Sequence, residues 1–237
     1  MWPRRNLAAL LRQNPYPGRG IILGRTPDGH WGIVVYFIMG RSNNSRNRTF
    51  VTQGADIRAV AFRPEAVEDP SLILYAPVRR AGMETVVSNG DQTDTICEYL
   101  ARGKSFREAL YTRTFEPDAP HYTPRISGLL KADGGYSLSI LKTAGGNPGA
   151  CCRFFYDYEN PLPGEGHFIH TYRGEGNPLL SFAGEPWTVG TEGEIGPFAR
   201  DIWEALHPEN KIALFVRYIH LQTGEFDTVI YNQNQEE

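Results

Sequence analysis

Lysine is nearly missing from this chain. Of its 24 basic residues only Lys104, Lys131, Lys142 and Lys211 are lysines, and the rest are arginines. A basic excess is missing too: the formal charge of −3 excludes a general nucleic-acid binder, which needs positive charge to neutralise phosphates. Cysteine is scarce. Cys97, Cys151 and Cys152 cannot all pair, the adjacent two bridge each other only with strain, and no Cys-x-x-Cys or spaced His pair suggests zinc. Long apolar runs are absent as well. The longest, Ile33 to Met39, falls far short of the ~20 residues of a membrane span. The basic start (Met1 to Arg5) leads only into Leu7 to Leu11, too brief for a signal sequence. These absences together predict a soluble, untargeted, cytoplasmic protein, in which the sequons at Asn43 and Asn47 carry no sugar.

What is present reads as one globular domain over residues 1–237. Hydrophobic residues make up 41% and charged residues 22%, enough apolar material for a real core and too much for disorder. No Ser/Gly/Pro linker divides the chain. Apolar runs at 21–24 and 32–39 flank Thr26-Pro27-Asp28-Gly29, and runs at 126–130 and 137–141 flank Asp133-Gly134-Gly135; both patterns predict hairpins. Further strands are expected at 59–62, 72–75, 85–88, 153–156, 168–170, 212–219 and 228–231. Helical spacing predicts helices over 5–13, 93–102 and 197–206, and Ser105 to Glu108 forms a capping box for a fourth. Strands with helices grouped between them suggest an α+β domain built on antiparallel sheets.

Four polar stretches carry the candidate chemistry. Residues 39–48, MGRSNNSRNR, follow the most apolar strand and concentrate Arg41, Ser42, Asn47 and Arg48. Arginine's planar fork with short polar donors suits an oxyanion such as phosphate. Residues 86–94, VVSNGDQTD, put Asn89 and Gly90 at a strand end with a helix starting at Asp91 or Thr93. Both a polar-ligand cradle and an ordinary N-cap fit that pattern. In residues 121–126, HYTPRI, Pro124 stiffens the approach to a strand and sets Tyr122, Thr123 and Arg125 near its start, with Glu116 upstream. Residues 166–179 leave a strand into a glycine-rich turn.

These stretches, with GRGIILGRTPDG from Gly18, Tyr36, and Tyr75 with Arg79, resemble the archaeal-type IMP cyclohydrolase family over residues 18–130; residues 1–17 and 145–194 depart from the pattern. The resemblance implies a four-layer αββα sandwich like that of N-terminal nucleophile hydrolases, without a terminal nucleophile, since the sequence begins Met1-Trp2-Pro3. It implies closure of 5-formamidoimidazole-4-carboxamide ribonucleotide to IMP, with no metal or organic cofactor. It further implies Tyr75, Glu116 and Arg79 as catalytic residues and Arg41, Ser42, Asn47 and Arg48 as phosphate-binding residues. Asn89, Asp94, Thr123 and Arg125 would serve ribose and base, with Gly90 also in contact with the substrate. The implied partners are the nucleotide and a formyltransferase that supplies it, with self-association left open. Two other readings share these residues: an amidohydrolase of the same fold, and a nucleotide-binding protein without chemistry.

Overall fold

A computed structural model describes residues 4–67 and 74–234. Among the described residues, thirteen strands form two antiparallel sheets. The first sheet contains β1 (Arg19–Arg25), β2 (Trp31–Met39), β10 (Glu165–His170), β11 (Trp187–Gly190), β12 (Lys211–His220) and β13 (Phe226–Asn232), in the order β11-β10-β1-β2-β12-β13. The second runs β3-β4-β5-β6-β7-β8-β9. Its strands are β3 (Arg48–Gln53), β4 (Asp56–Ala61), β5 (Tyr75–Ala81), β6 (Glu84–Ser88), β7 (Arg125–Leu130), β8 (Tyr136–Ala144) and β9 (Asn147–Tyr158).

Strand β2 shows why the sheets stack. Its run of apolar residues is buried on both faces, as a strand between two layers must be. Val34, Tyr36 and Ile38 join Ile57, Val78, Val87 and Ile126 of the second sheet in a shared core. Ile33, Val35, Phe37 and Met39 face the other way, against Leu7 and Leu11 of α1 (Leu7–Gln13) and Phe198 and Ile202 of α5 (Ile195–Ala205). On the far side of the second sheet, Val86, Leu129 and Leu141 pack on Ile96 of α3 (Gln92–Ala101) and on Phe106 and Leu110 of α4 (Phe106–Tyr111). The protein is therefore mixed α+β, dominated by antiparallel strands. Both expected hairpins form, at 26–29 and 133–135, and the Ser105–Glu108 capping box has both of its hydrogen bonds.

Some elements differ from expectation. Residues 48–53 and 187–190 are strands that the apolar pattern does not reveal, because β3 buries a single apolar side chain, Phe50, ahead of three exposed residues, and β11 is a four-residue edge. Residues 43–46, α2, form a single helical turn capped by Ser42 within what reads as loop. The expected strand at 72–75 lies partly outside the described residues; β5 starts at Tyr75. Among the described residues no helix is long and apolar enough to cross a membrane.

Candidate functional site

Four strands begin at one end of the layer between the sheets, and each begins with a polar side chain: Arg19 on β1, Arg48 on β3, Tyr75 on β5 and Arg125 on β7. Tyr36 comes to the same place from the middle of β2. A one-residue slip of β2 would turn its ring to the opposite face. In register, its hydroxyl meets that of Tyr75 across the sheets at 2.8 Å, with both rings buried.

Arg48 is fully buried. Its Nε donates to the Ser45 carbonyl at 2.8 Å, whereas Nη1 and Nη2 are buried with no partner among the described residues. Burial, and then the neighbouring Arg19, hold this guanidinium below its ordinary pKa. Buried polar groups are otherwise almost always paired, so two orphaned charged donors mark a place that expects an anion. Arg19, part-exposed, also leaves its Nε buried and unpartnered, and it lies within electrostatic reach of Tyr172, Glu116, Tyr16 and Tyr75.

Glu116 is the carboxylate facing these cations. It is 5% exposed, and burial pushes its carboxyl up to about 7 against the opposing pull of Arg19, Arg125 and Arg48. Its backbone N–H donates to the Thr123 carbonyl at 2.9 Å, closing the loop between them. Within that loop Asp118 takes hydrogen bonds from both the backbone and the hydroxyl of Thr123, and the Thr123 hydroxyl meets Tyr172 Oη at 2.6 Å. Tyr172 stacks on Tyr16 at 5.9 Å between centroids, and the exposed Arg41 lies over Tyr16 at 4.6 Å. A cation–aromatic ladder thus runs from Arg41 at the surface to Thr123 beside Glu116. Gly18, at φ +79°, makes room for it: a Cβ there would lie 2.2 Å from Thr171 Oγ1 and 2.6 Å from the Tyr172 ring.

The structure thus gathers Arg48, Tyr75, Glu116, Thr123 and Arg125, with Arg41 at the rim. The other residues named from sequence are engaged elsewhere. Ser42 accepts from the Ser45 N–H as a helix cap. The Asn47 amide binds the backbone of Arg63 at both ends, 2.8 and 2.7 Å, and so anchors the turn that presents Arg48. Asn89 donates to the Pro124 carbonyl and accepts from Ile126 N and Gln92 Nε2, fixing the start of β7. Arg79 and Asp94 pair with each other at 2.8 Å, and Asp56 lies 3.2 Å from Arg79, on the face of β5 that carries α3. Asp91 makes no side-chain cap. It pairs with Arg125 at 2.7 Å and with Arg113, a better outlet for its charge than one backbone donor.

Gly90 has a packing reason. A Cβ there would sit 2.4 Å from Arg125 Nη1 and 2.7 Å from Gln92 Oε1, which itself accepts from Arg125. Gly90→Ala is expected to displace the Arg125 guanidinium and to lower stability by about 1–3 kcal/mol, measured by denaturant unfolding.

Sequence reasoning did not assign Arg19, Tyr36, Tyr16 or Tyr172 to the site. Two signals were available: Arg19 is a charge between glycines at the head of an apolar strand, and Tyr36 is the one hydroxyl in the run from Ile33 to Met39. Tyr16 and Tyr172 had none, because only the fold brings them together. Among the described residues no group of three or more His, Cys, Asp or Glu is placed to hold a metal ion.

Comparison with known proteins points the same way. A family model described as IMP cyclohydrolase-like protein matches residues 16–224, so the stretch 145–194, which departs from the expected pattern, lies within the matched domain. A protein named IMP cyclohydrolase from Methanococcus maripaludis strain C6 is 33% identical over 128 residues, 51% of this chain and 61% of that protein. One from Methanopyrus kandleri is 36% identical over 115 residues, covering 47% and 57%. One from Halobacterium salinarum strain R1 is 30% identical over 131 residues, covering 54% and 63%. The matched part of the chain spans about three-fifths of the length of these relatives. On the strength of the family match, the chain belongs to the IMP cyclohydrolase-like protein family.

Proposed function

We propose that this protein closes 5-formamidoimidazole-4-carboxamide ribonucleotide to IMP with loss of water. One observation carries the reading: the unpartnered, buried end of Arg48 lies beside a tyrosine pair and a carboxyl group poised near neutrality. The substrate already holds both reacting groups on one ring, so the protein must mainly rotate the formyl arm inward, steady developing charge and move protons. The carboxamide nitrogen attacks the formyl carbon and a C–N bond forms. Glu116 accepts the proton lost by that nitrogen. Tyr75, kept protonated by burial, donates to the formyl oxygen, which becomes a hydroxyl. Glu116 returns its proton to that hydroxyl, which leaves as water, and the former formamido nitrogen passes its hydrogen to the Tyr75 oxygen as the C=N double bond forms, so both side chains regain their starting protonation. The sequence balances without a redox or organic cofactor.

In this reading Arg48, with Arg19 beside it, holds negative charge on the substrate, and Arg41 guides the anion in from the rim. Thr123 and Arg125 contact sugar and base. Asn47, Ser42, Asn89, Gly90 and the Arg79–Asp94 pair set the positions of these groups. The stacking of helices outside two facing sheets supports kinship with the αββα sandwich of N-terminal nucleophile hydrolases, with the chemistry moved to strand-start side chains. A formyl-transfer enzyme in the cytoplasm would supply the substrate.

Purified protein mixed with the formamido ribonucleotide, without metal or folate, should generate the hypoxanthine absorbance. Binding without turnover would replace this reading with that of a nucleotide-binding protein. A pH profile tests the base. With Glu116 titrating at about 7, kcat should rise roughly tenfold from pH 6 to pH 8 and then level off. The same raised pKa has a stability consequence of fixed sign. The folded protein binds the Glu116 proton more tightly than the unfolded chain, so this carboxyl stabilises the fold below pH 4.5. That contribution is lost as pH rises toward 7. Glu116→Gln should therefore abolish the rise in activity around pH 7 and flatten the decline in melting temperature between pH 4.5 and about 7.

A further inference from the structure

Behind the loop that carries Glu116 lies a cavity of about 320 Å³, formed by residues 120–122, the turn between β8 and β9, and residues 178–181. Its lining holds three basic side chains, His121, Lys142 and Arg173, and no carboxylate. That concentration runs against a chain whose net charge is −3. Lys142 Nζ donates to the Phe182 carbonyl, and Arg173 Nε donates to the Ser181 carbonyl at 3.2 Å. Each contact fixes a side chain while leaving further charged N–H groups unspent. His121 Nδ1 is buried with no partner among the described residues. Burial, and then the neighbouring Arg173, hold Lys142 below the usual ammonium range, so the two cations already crowd one another. Thr143 and Ser181 add hydroxyl donors to the same wall.

The position of this cavity gives it a route to the candidate site. Tyr122, in its wall, sits at φ +44°, a costly backbone conformation for an aromatic residue, and Thr123 follows directly. Arg173 directly follows Tyr172, and the side chains of Thr123 and Tyr172 hydrogen-bond each other. The cavity therefore shares its wall with the loop that carries Glu116.

We propose that this cavity is a binding site for a phosphoryl-type dianion, distinct from the place beside Arg48. Two cations with no carboxylate in the lining, the unpartnered His121 ring nitrogen, unspent N–H donors and two hydroxyls match the oxygens of such a group. The dianion comes either from the 5′-phosphate of the nucleotide in the neighbouring site or from free phosphate. Binding itself does not depend on the cyclohydrolase reading.

Calorimetric titration of inorganic phosphate into the full chain tests it. Phosphate affinity should fall at least about tenfold in the Lys142→Ala/Arg173→Ala double variant and persist in Arg48→Met. Ser181→Asp, which puts a carboxylate in the wall, should have the same effect and serves if the double variant does not fold. Displacement of phosphate by IMP, with a raised KM in the cavity variants, assigns the site to the nucleotide's own phosphate. Simultaneous binding of phosphate and IMP assigns it to a separate ligand. Phosphate affinity unchanged in both cavity variants, or no phosphate binding by the natural protein, would overturn the proposal.

Discussion

Tyr75→Phe is expected to lower kcat by about 10²- to 10⁴-fold, the range lost when a positioned proton donor is removed, while KM moves only a few-fold. The asymmetry follows from where the hydroxyl sits. The ring fills part of the core between the sheets and Phe preserves that packing, so the substrate's other contacts survive. What disappears is one proton. Burial keeps the phenol protonated and so able to donate, with the charge of Arg48 pulling the other way. The substitution also leaves the Tyr36 hydroxyl without its 2.8 Å partner, which should lower stability by about 1–3 kcal/mol. Tyr36→Phe separates the two effects: it should cost similar stability but much less turnover, because Tyr36 acts on the reaction only by orienting Tyr75. Steady-state kinetics and denaturant unfolding on the two variants decide it. Full turnover in Tyr75→Phe would remove the proposed proton donor and leave the binding assignment standing.

Legibility in the sequence followed the range of the interactions involved. The hairpins at 26–29 and 133–135 and the capping box at Ser105 were readable, because turn and cap chemistry acts within four residues. Strand β2 was readable because burial on both faces leaves a continuous apolar run. Strand β3 was not, since Thr49, Val51 and Gln53 break its pattern and its pairing with β4 is what makes it a strand. The site divides in the same way. Arg48, Thr123 and Arg125 stood out by residue type in polar stretches beside strands, whereas Tyr75 and Glu116 were assigned only through the family resemblance. Their neighbours Asn47, Asn89 and Asp94 have equally suggestive side chains; their hydrogen bonds and ion pairs, like those of Thr123 and Arg125, go to other protein groups that no local pattern reveals. The Tyr16–Tyr172 stack joins residues 156 positions apart (172 − 16), beyond any local signal.

Arg48→Met should move stability and binding in opposite directions. The Arg48 guanidinium is fully buried, holds one hydrogen bond to Ser45, and leaves two nitrogens without a partner among the described residues, beside a second cation, Arg19. Replacing such a charge by an apolar side chain of similar length removes a desolvation cost. A gain of about 1–4 kcal/mol is the scale seen when buried ionic groups are exchanged for well-packed hydrophobic ones. Nucleotide affinity should fall by about 2–5 kcal/mol, the cost of deleting one side of a buried charged contact. Thermal unfolding without ligand and titration with IMP measure the two quantities on the same samples. A protein built only for stability would not keep this arginine, so the opposed signs distinguish an anion seat from a structural strut. If Arg48→Met instead melts earlier and binds IMP unchanged, the guanidinium serves the Ser45 turn, and the anion must be held by Arg19 and Arg41.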